Sequence, residues 1–130
     1  MKQLTLILLL LVSTNVYAEW TRVTGSVDGV KTVYIDYGTI KRTKNKVTIW
    51  RLLDHKTVQQ FDKKIYLSSA THEEYDCEEE TSRLLDMYVY SGNMSSGEVV
   101  ISLKNIQSEA TSIIPENIQV TFFKIVCDKK

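Results

Sequence analysis

Histidine, glycine and proline are all scarce in this sequence of 130 residues, which has two, five and one of them. His72-Glu73 begins like the zinc-protease motif, but the second histidine that the motif needs one helical turn later is missing. The other histidine, His55, is isolated in sequence. The glycines form no phosphate-binding loop, and no nucleophile has an evident base close to it in the sequence. We therefore predict a protein that is not an enzyme and that holds no metal or cofactor.

Long apolar runs are confined to the amino-terminal region. Residues 4–12 form an apolar stretch between Lys2 and the small-residue site that ends at Ala18, which is the order of a secretory signal peptide. This stretch is too short for a membrane-spanning helix, which needs about 20 residues. Residue 19 is Glu19, not the cysteine that lipid attachment requires. We expect a mature chain without a lipid or membrane anchor, located in the periplasm, secreted or at the cell surface.

A strong excess of charge is also lacking. The 16 basic residues balance 16 acidic ones, and removal of Lys2 with the signal peptide leaves 15 against 16, or −1. This balance gives no reason to expect binding to nucleic acid or to anionic lipid. Residues 19–130 contain no repeats or linker-like tracts, and their number suits one folded domain.

Two cysteines, Cys77 and Cys127, both lie in the predicted mature chain. Export exposes them to oxidising conditions that favour a disulfide between them. The alternative, a reactive free thiol, would leave one cysteine unpaired, and neither has a histidine close in sequence.

Acidic residues are concentrated around Cys77: Glu73, Glu74, Asp76, Glu78, Glu79 and Glu80. Six carboxylates could hold a calcium ion, but their spacing fits no defined calcium loop. Alternation along a strand would direct them to both faces of a sheet, which favours a solvated acidic edge that discourages pairing with other sheets.

A basic cluster supplies the candidate binding residues, which are Lys41, Arg42, Lys44 and Lys46. It could contact acidic proteins or sulfated polysaccharide outside the cell, or it could be a hydrated turn. Tyrosines in predicted strands, such as Tyr34 and Tyr88, are expected to pack in cross-strand pairs, and any that are exposed would suit a protein-binding surface.

The mature sequence reads as a series of strands separated by turns. Asp28-Gly29 is a hairpin signal, and Val33 and Ile35 alternate with Thr32, Tyr34 and Asp36, which favours a strand with one buried face. The β-branched and aromatic content of residues 47–53 predicts a central strand. The six predicted strands are 19–23, 31–36, 47–53, 64–71 extended toward Cys77, 82–90 and 98–103.

The carboxyl-terminal segment from Pro115 to Cys127 can be read in two ways. Its residue types at 120–126 favour a strand. However, proline followed by Glu116 suits a first helical turn, and Ile118, Phe122 and Ile125 share one helical face. We favour the helix, which gives an α+β fold: about six antiparallel strands with a helix packed on one face.

Several short segments resemble the surface-adhesin protein E family of Gram-negative bacteria. They occur in the same order over nearly the whole mature chain: Ala18-Glu19-Trp20, Tyr34-Ile35-Asp36-Tyr37, Ile40-Lys41-Arg42, Val47-Thr48-Ile49-Trp50, Leu53-Asp54, Tyr75-Asp76-Cys77, Arg83-Leu84-Leu85, Tyr90-Ser91-Gly92, and Ile114-Pro115 leading to Cys127. The resemblance implies an antiparallel sheet whose terminal helix is tethered by a disulfide.

The same resemblance implies adhesion to host extracellular-matrix or serum proteins, and a possible homodimer formed through the sheet. Glu19 departs from the lipoprotein that is typical of the adhesin, so the fold transfers more readily than the function. The alternative is a periplasmic module that binds an envelope partner or inhibits an enzyme.

Cleavage after Ala18 is directly testable. The exported protein should begin at Glu19 and carry no lipid, because the cleavage site is followed by an acidic residue. Intact-mass spectrometry of the protein from an envelope fraction checks this. A mass that includes residues 1–18, or an added acyl group, would contradict the prediction.

Overall fold

Seven β-strands and one α-helix form the part of the chain that the structure, a computed structural model, describes: residues 19–25, 30–113 and 118–128. The elements are β1 (Thr21–Gly25), β2 (Lys31–Thr43), β3 (Lys46–Phe61), β4 (Lys64–Asp76), β5 (Thr81–Tyr90), β6 (Val99–Leu103), β7 (Thr111–Ser112) and α1 (Ile118–Cys127). The first six strands lie side by side in chain order, each antiparallel to the next. The two-residue strand β7, which the sequence did not predict, pairs with the start of β5. The predicted α+β fold is confirmed.

Two-residue turns join the longest strands. Asp62 and Lys63, between β3 and β4, have φ angles of 45° and 65°, and positive φ at both positions suits the twist of a tight hairpin. Lys44 and Asn45 join β2 to β3. This turn is narrower than the polar stretch 41–46 suggested, because cross-strand pairs continue the ladder up to it.

Strand β3 extends well beyond the predicted residues 47–53 and has 16 residues. Its outer part is largely polar and carries little of the residue pattern that predicts strands. Pairing holds it in place, since Gln59 and Gln60 lie opposite Tyr66 and Ile65 of β4. The partner strand therefore determines this part of the sheet.

The core lies between one face of the sheet and helix α1. Val33, Ile35, Val47, Ile49 and Tyr75 are buried on that face, as the alternation at positions 33 and 35 predicts. The two fully buried side chains that the helix adds are four residues apart, so they share one side of it: Phe122 and Val126. The helix is confirmed for 118–127, whereas Pro115 and Glu116 lie outside the described residues.

A disulfide joins the two layers at one end. Cys77, directly after β4, is bonded to Cys127, the last residue of α1. The backbone N–H of Cys77 also donates to Asn45 O at 2.8 Å, which connects the disulfide to the β2–β3 turn. The predicted staple is therefore confirmed, and it fixes the end of the helix against the sheet.

Other predictions fall outside the described residues, namely the signal peptide over 1–18 and the hairpin turn at Asp28-Gly29. The helix that the structure describes is neither long enough nor apolar enough to cross a membrane.

The disulfide should contribute strongly to stability, because its loop spans 50 residues and a loop of that size restricts the unfolded chain by about 4 kcal/mol. We expect the double variant C77A/C127A to lose roughly this free energy of unfolding in guanidinium titration. Reductant should destabilise the native protein similarly and leave the double variant unchanged. Equal stability of the two proteins without reductant would contradict this role.

Candidate binding surfaces

Beneath the helix, a charged network surrounds the buried Glu73, and its cation, Arg51, is half-buried. Arg51 Nη2 lies 2.7 Å from Glu73 Oε1, and the Tyr75 hydroxyl donates to Glu73 Oε2 at 2.8 Å. The Arg51 guanidinium also lies 4.9 Å from the centre of the Phe122 ring. Burial, followed by the Glu73 charge, raises the pKa of Tyr75. These contacts fix strands β3 and β4 to the helix and show that Glu73 is structural.

The predicted acidic edge is therefore only partly correct. Glu73 is buried, while Glu74 points to the opposite face and contacts Arg83 Nε at 2.9 Å and Lys46 Nζ at 3.7 Å. Asp76 Oδ1 accepts the backbone N–H groups of Glu78 and Glu79 in the β4–β5 turn. Among the described residues, no group of three or more His, Cys, Asp or Glu is placed to hold a metal ion.

The basic cluster lies on the β2–β3 hairpin, close to the end of the helix. Arg42 donates to the backbone carbonyl of Val126, and Lys46 pairs with Glu74. Lys41 and Lys44 are exposed. The structure thus brings the four predicted residues to one hairpin but uses Arg42 and Lys46 in internal contacts.

On the face opposite the helix, three rings on neighbouring strands form what we call the aromatic row: Trp50, His72 and Tyr88. Trp50 is stacked with His72, with ring centres 4.8 Å apart, and with Tyr88, with centres 5.8 Å apart. His72 Nδ1 lies 2.9 Å from Asp86 Oδ2. The Asn105 N–H and then His72 lower the pKa of the Asp86 carboxyl. This pairing holds the imidazole nearly parallel to the Trp50 ring, at an interplanar angle of 5°.

Next to the row is a depression of about 270 Å³, which we call the aromatic cavity. Its lining residues are Trp20, Asp36, Thr39, Trp50, Ala70, Tyr88, Tyr90 and Ser95. Asp36 is 8% exposed, and its Oδ1 accepts the Gly38 N–H at 3.0 Å. The sequence correctly placed Asp36 on the face away from Ile35, but that face is covered here, so the side chain is buried.

The loop after β5 closes one end of this cavity. Ser68 donates from Oγ to Gly92 O at 2.6 Å and accepts the Ser95 N–H at 3.0 Å. Asp54 Oδ1 accepts from Asn93 Nδ2 and from the Met94 N–H. Side chains of β3 and β4 thereby fix the loop over the sheet and hold Ser95 at the edge of the cavity.

A second depression, of about 210 Å³, is almost entirely apolar. This apolar groove is lined by Phe61, Tyr66, Ser69, Met87, Val89, Ile101 and Leu103. It lies between the outer end of the β3–β4 hairpin and β6, which are connected by a 3.1 Å hydrogen bond from Lys64 Nζ to Val100 O. Phe61 is 63% and Leu103 45% exposed, so the groove presents large apolar side chains to solvent.

His55 is buried next to this groove. Its ring meets the edge of Tyr66 at a centre distance of 5.8 Å. Burial, and then the charge of Lys31, lower its pKa, against an opposing effect of Asp54. The backbone carbonyl of His55 accepts a hydrogen bond from Asn93 at 2.7 Å.

Comparison with known proteins now adds the family. Residues 20–128 match the family described as surface-adhesin protein E. The chain belongs to this family. The match spans nearly the whole described chain, in agreement with the order of short segments noted above. No curated protein matches the sequence.

Solved structures of protein E from Haemophilus influenzae share the fold. One aligns with a TM-score of 0.63 and 16% identity over 88% of this chain and 87% of that one. A second crystal form gives 0.64 and 16% identity, with 88% and 91% coverage. Protein E from non-typeable H. influenzae gives 0.62 and 16%, with 88% and 78% coverage. At this identity the likeness establishes the sheet and helix.

Sequence reasoning missed the aromatic cavity and the apolar groove. Trp50 and Tyr88 were visible only as strand aromatics, and their stacking depends on the register of three strands. Phe61 is exposed because it lies at the tip of the β3–β4 hairpin, a position that its neighbours in sequence do not indicate. A signal for either site would require the strand pairing to be known first.

Mild acid should destabilise the fold through His55. Because its folded pKa is below the ordinary value of 6.5, the unfolded chain binds this proton more readily. The stability that neutral His55 contributes to the fold is fully present above pH 6.5, and it is lost as the pH falls through the lower pKa of the folded state. Replacing His55 with Gln should reduce this loss, as measured by urea unfolding at a series of pH values.

Replacement of His72 with Gln is the matched control. His72 is the other of the two histidines in the sequence, and it pairs with Asp86 on the opposite face of the sheet. The loss of stability just below pH 6.5 should persist in this variant. If it disappears with His72 instead of His55, the assignment is wrong.

Proposed function

We propose that this protein is an exported, non-enzymatic binding protein of the surface-adhesin type that attaches to host extracellular-matrix or serum proteins. The supporting observation is the apolar groove with the exposed side chains around it. Family membership supports adhesion as the class of function. The contact surface itself is inferred from exposure and chemistry.

Exposed large apolar residues are concentrated at one end of the sheet. Five of the seven such residues in the described chain lie on the outer part of the β3–β4 hairpin or on β6: Val58, Phe61, Ile65, Val99 and Leu103. A soluble protein rarely exposes a contiguous apolar patch unless the patch contacts a partner. This distribution is therefore better explained by a binding surface than by scattered exposure.

The groove also has the shape of an anchor site. Phe61 and Leu103 lie on its rim, while Val89 is buried at its base. An apolar or aromatic side chain of a partner inserted there would be removed from water on several sides. Such centrally buried contacts supply most of the free energy of typical protein interfaces.

The basic hairpin can contribute at a distance. Exposed Lys41 and Lys44 would attract acidic partners and accelerate association, with an effect that salt weakens. Arg42 and Lys46 have internal partners, so they contribute less. In this proposal the β2–β3 hairpin attracts the partner protein, and the apolar groove holds it once bound.

Substitution of the rim should separate binding from folding. We expect F61S/L103S to weaken binding to a responsive matrix protein about tenfold or more, since two anchors are lost. Biolayer interferometry of the mature protein against a panel of purified matrix and serum proteins measures this. Thermal unfolding should change little, because both side chains are exposed.

Y37S is the matched control, since Tyr37 is 47% exposed and does not line the groove. Binding that is equally weakened by Y37S, or unaffected by F61S/L103S, would contradict the proposed surface. Light scattering of the same proteins shows whether the groove instead joins two copies of the chain.

The second candidate, a periplasmic module that binds an envelope protein, is motivated by Glu19 at the predicted cleavage site. Protease treatment of intact cells separates the two. An adhesin is digested from outside, whereas a periplasmic protein is digested only after the outer membrane is permeabilised.

A further inference from the structure

The aromatic cavity differs in chemistry from the apolar groove and lies on the other face of the sheet. Trp50 follows Ile49, which is buried against the helix, so their side chains point to opposite faces. Four of the eight lining residues are aromatic and come from three parts of the chain: Trp20, Trp50, Tyr88 and Tyr90. The proposed protein-binding function does not use them.

Among the residues that the structure describes, Asp36 is the only charged one that lines this cavity. It is nine-tenths buried, and a carboxylate in such a place is costly unless it is compensated. The Gly38 N–H provides one hydrogen bond at 3.0 Å. A cation entering the cavity would complete the compensation, whereas an anion would be repelled.

The two aliphatic hydroxyl groups that line the cavity, on Thr39 and Ser95, already donate to backbone carbonyls. Thr39 Oγ1 donates to Asp36 O at 2.7 Å and accepts the Trp50 N–H at 3.0 Å. Ser95 Oγ donates to Met94 O at 2.7 Å. A sugar would have to bind through the remaining groups, such as the hydroxyls of Tyr88 and Tyr90, whereas a cation that carries methyl groups needs only aromatic surface and one negative charge.

One of these rings already attracts a cation. Lys104 Nζ lies 5.9 Å from the centre of the Tyr88 ring, within the distance at which cations interact with ring faces. Trp50 and Tyr88 are stacked 5.8 Å apart and form one wall beside the buried carboxylate. Aromatic walls with an acidic group are the arrangement that recognises quaternary ammonium groups.

We propose that the aromatic cavity binds a quaternary ammonium headgroup of the choline type, with Asp36 facing the charge and the rings of Trp20, Trp50, Tyr88 and Tyr90 surrounding the methyl groups. The volume of 270 Å³ lies just below the roughly 300–1,000 Å³ typical of small-molecule sites. This size favours a headgroup over an extended chain.

Intrinsic fluorescence provides a direct test, because the two tryptophans of the chain both line the cavity. Titration of the full mature protein with choline chloride, at constant ionic strength, should give a saturable change with Kd of about 0.1–10 mM, as expected for a ligand of few atoms. The neutral isostere 3,3-dimethyl-1-butanol should bind at least about tenfold more weakly, since it lacks the charge.

D36N removes the charge and keeps an oxygen for the Gly38 N–H, so the fold should persist. It should weaken choline binding about tenfold or more, whereas D62N, in the β3–β4 turn, should have no effect. Y90L should weaken binding several-fold, and Y37L should not. These variants test the charge and the aromatic wall independently.

Phosphatidylcholine vesicles then identify the source of the headgroup. Co-sedimentation that D36N abolishes would place it on a membrane lipid, and binding of choline without binding of vesicles would place it on a soluble molecule. No saturable response to choline, equal binding of the neutral isostere, vesicle binding that D36N leaves intact, or preferred binding of methyl glucoside would each overturn the proposal.

Discussion

A helix of ten residues has to cover a sheet whose longest strand has 16. At 1.5 Å per helical residue and about 3.3 Å per strand residue, the helix is roughly 15 Å long and the strand roughly 50 Å. Helix α1 can therefore bury only part of one face, around Ile49 and Tyr75. The disulfide between Cys77 and Cys127 determines which part, and the remaining sheet has to be covered by its own side chains and loops or left exposed.

That constraint accounts for the two depressions. Away from the helix, on the same face, Met87 and Val89 lie between Thr71 and Ser69 of β4 and Leu103 and Ile101 of β6, and the apolar groove remains open. On the opposite face, aromatic rings and the loop held by Ser68 provide the cover, which leaves the aromatic cavity. The two surfaces differ in chemistry because one is bounded mainly by apolar strand side chains and the other by rings around a carboxylate.

The fold was largely predictable from sequence, while the sites were not. Alternation at Val33 and Ile35 is a local property, and so is the helical spacing of Phe122, so both predict which side is buried. The pairing of Arg51 with Glu73 depends on strand register, and the surroundings of Asp36 depend on rings from several strands and on a distant loop. Polar strand residues such as Gln59 lack any local signal, which is why β3 was predicted too short and the exposed hairpin end was missed.

This chain shares its fold with the solved protein E structures at only 16% identity, because many residue types can satisfy the alternation of apolar and polar residues along a strand. Ligands are therefore better sought at residues that the fold does not require. A buried carboxylate at position 36 reduces stability relative to a small apolar side chain, unless something compensates it. Exposed Phe61 likewise contributes nothing to the core. Residues that impose a stability cost in the free protein are the ones whose presence binding can explain.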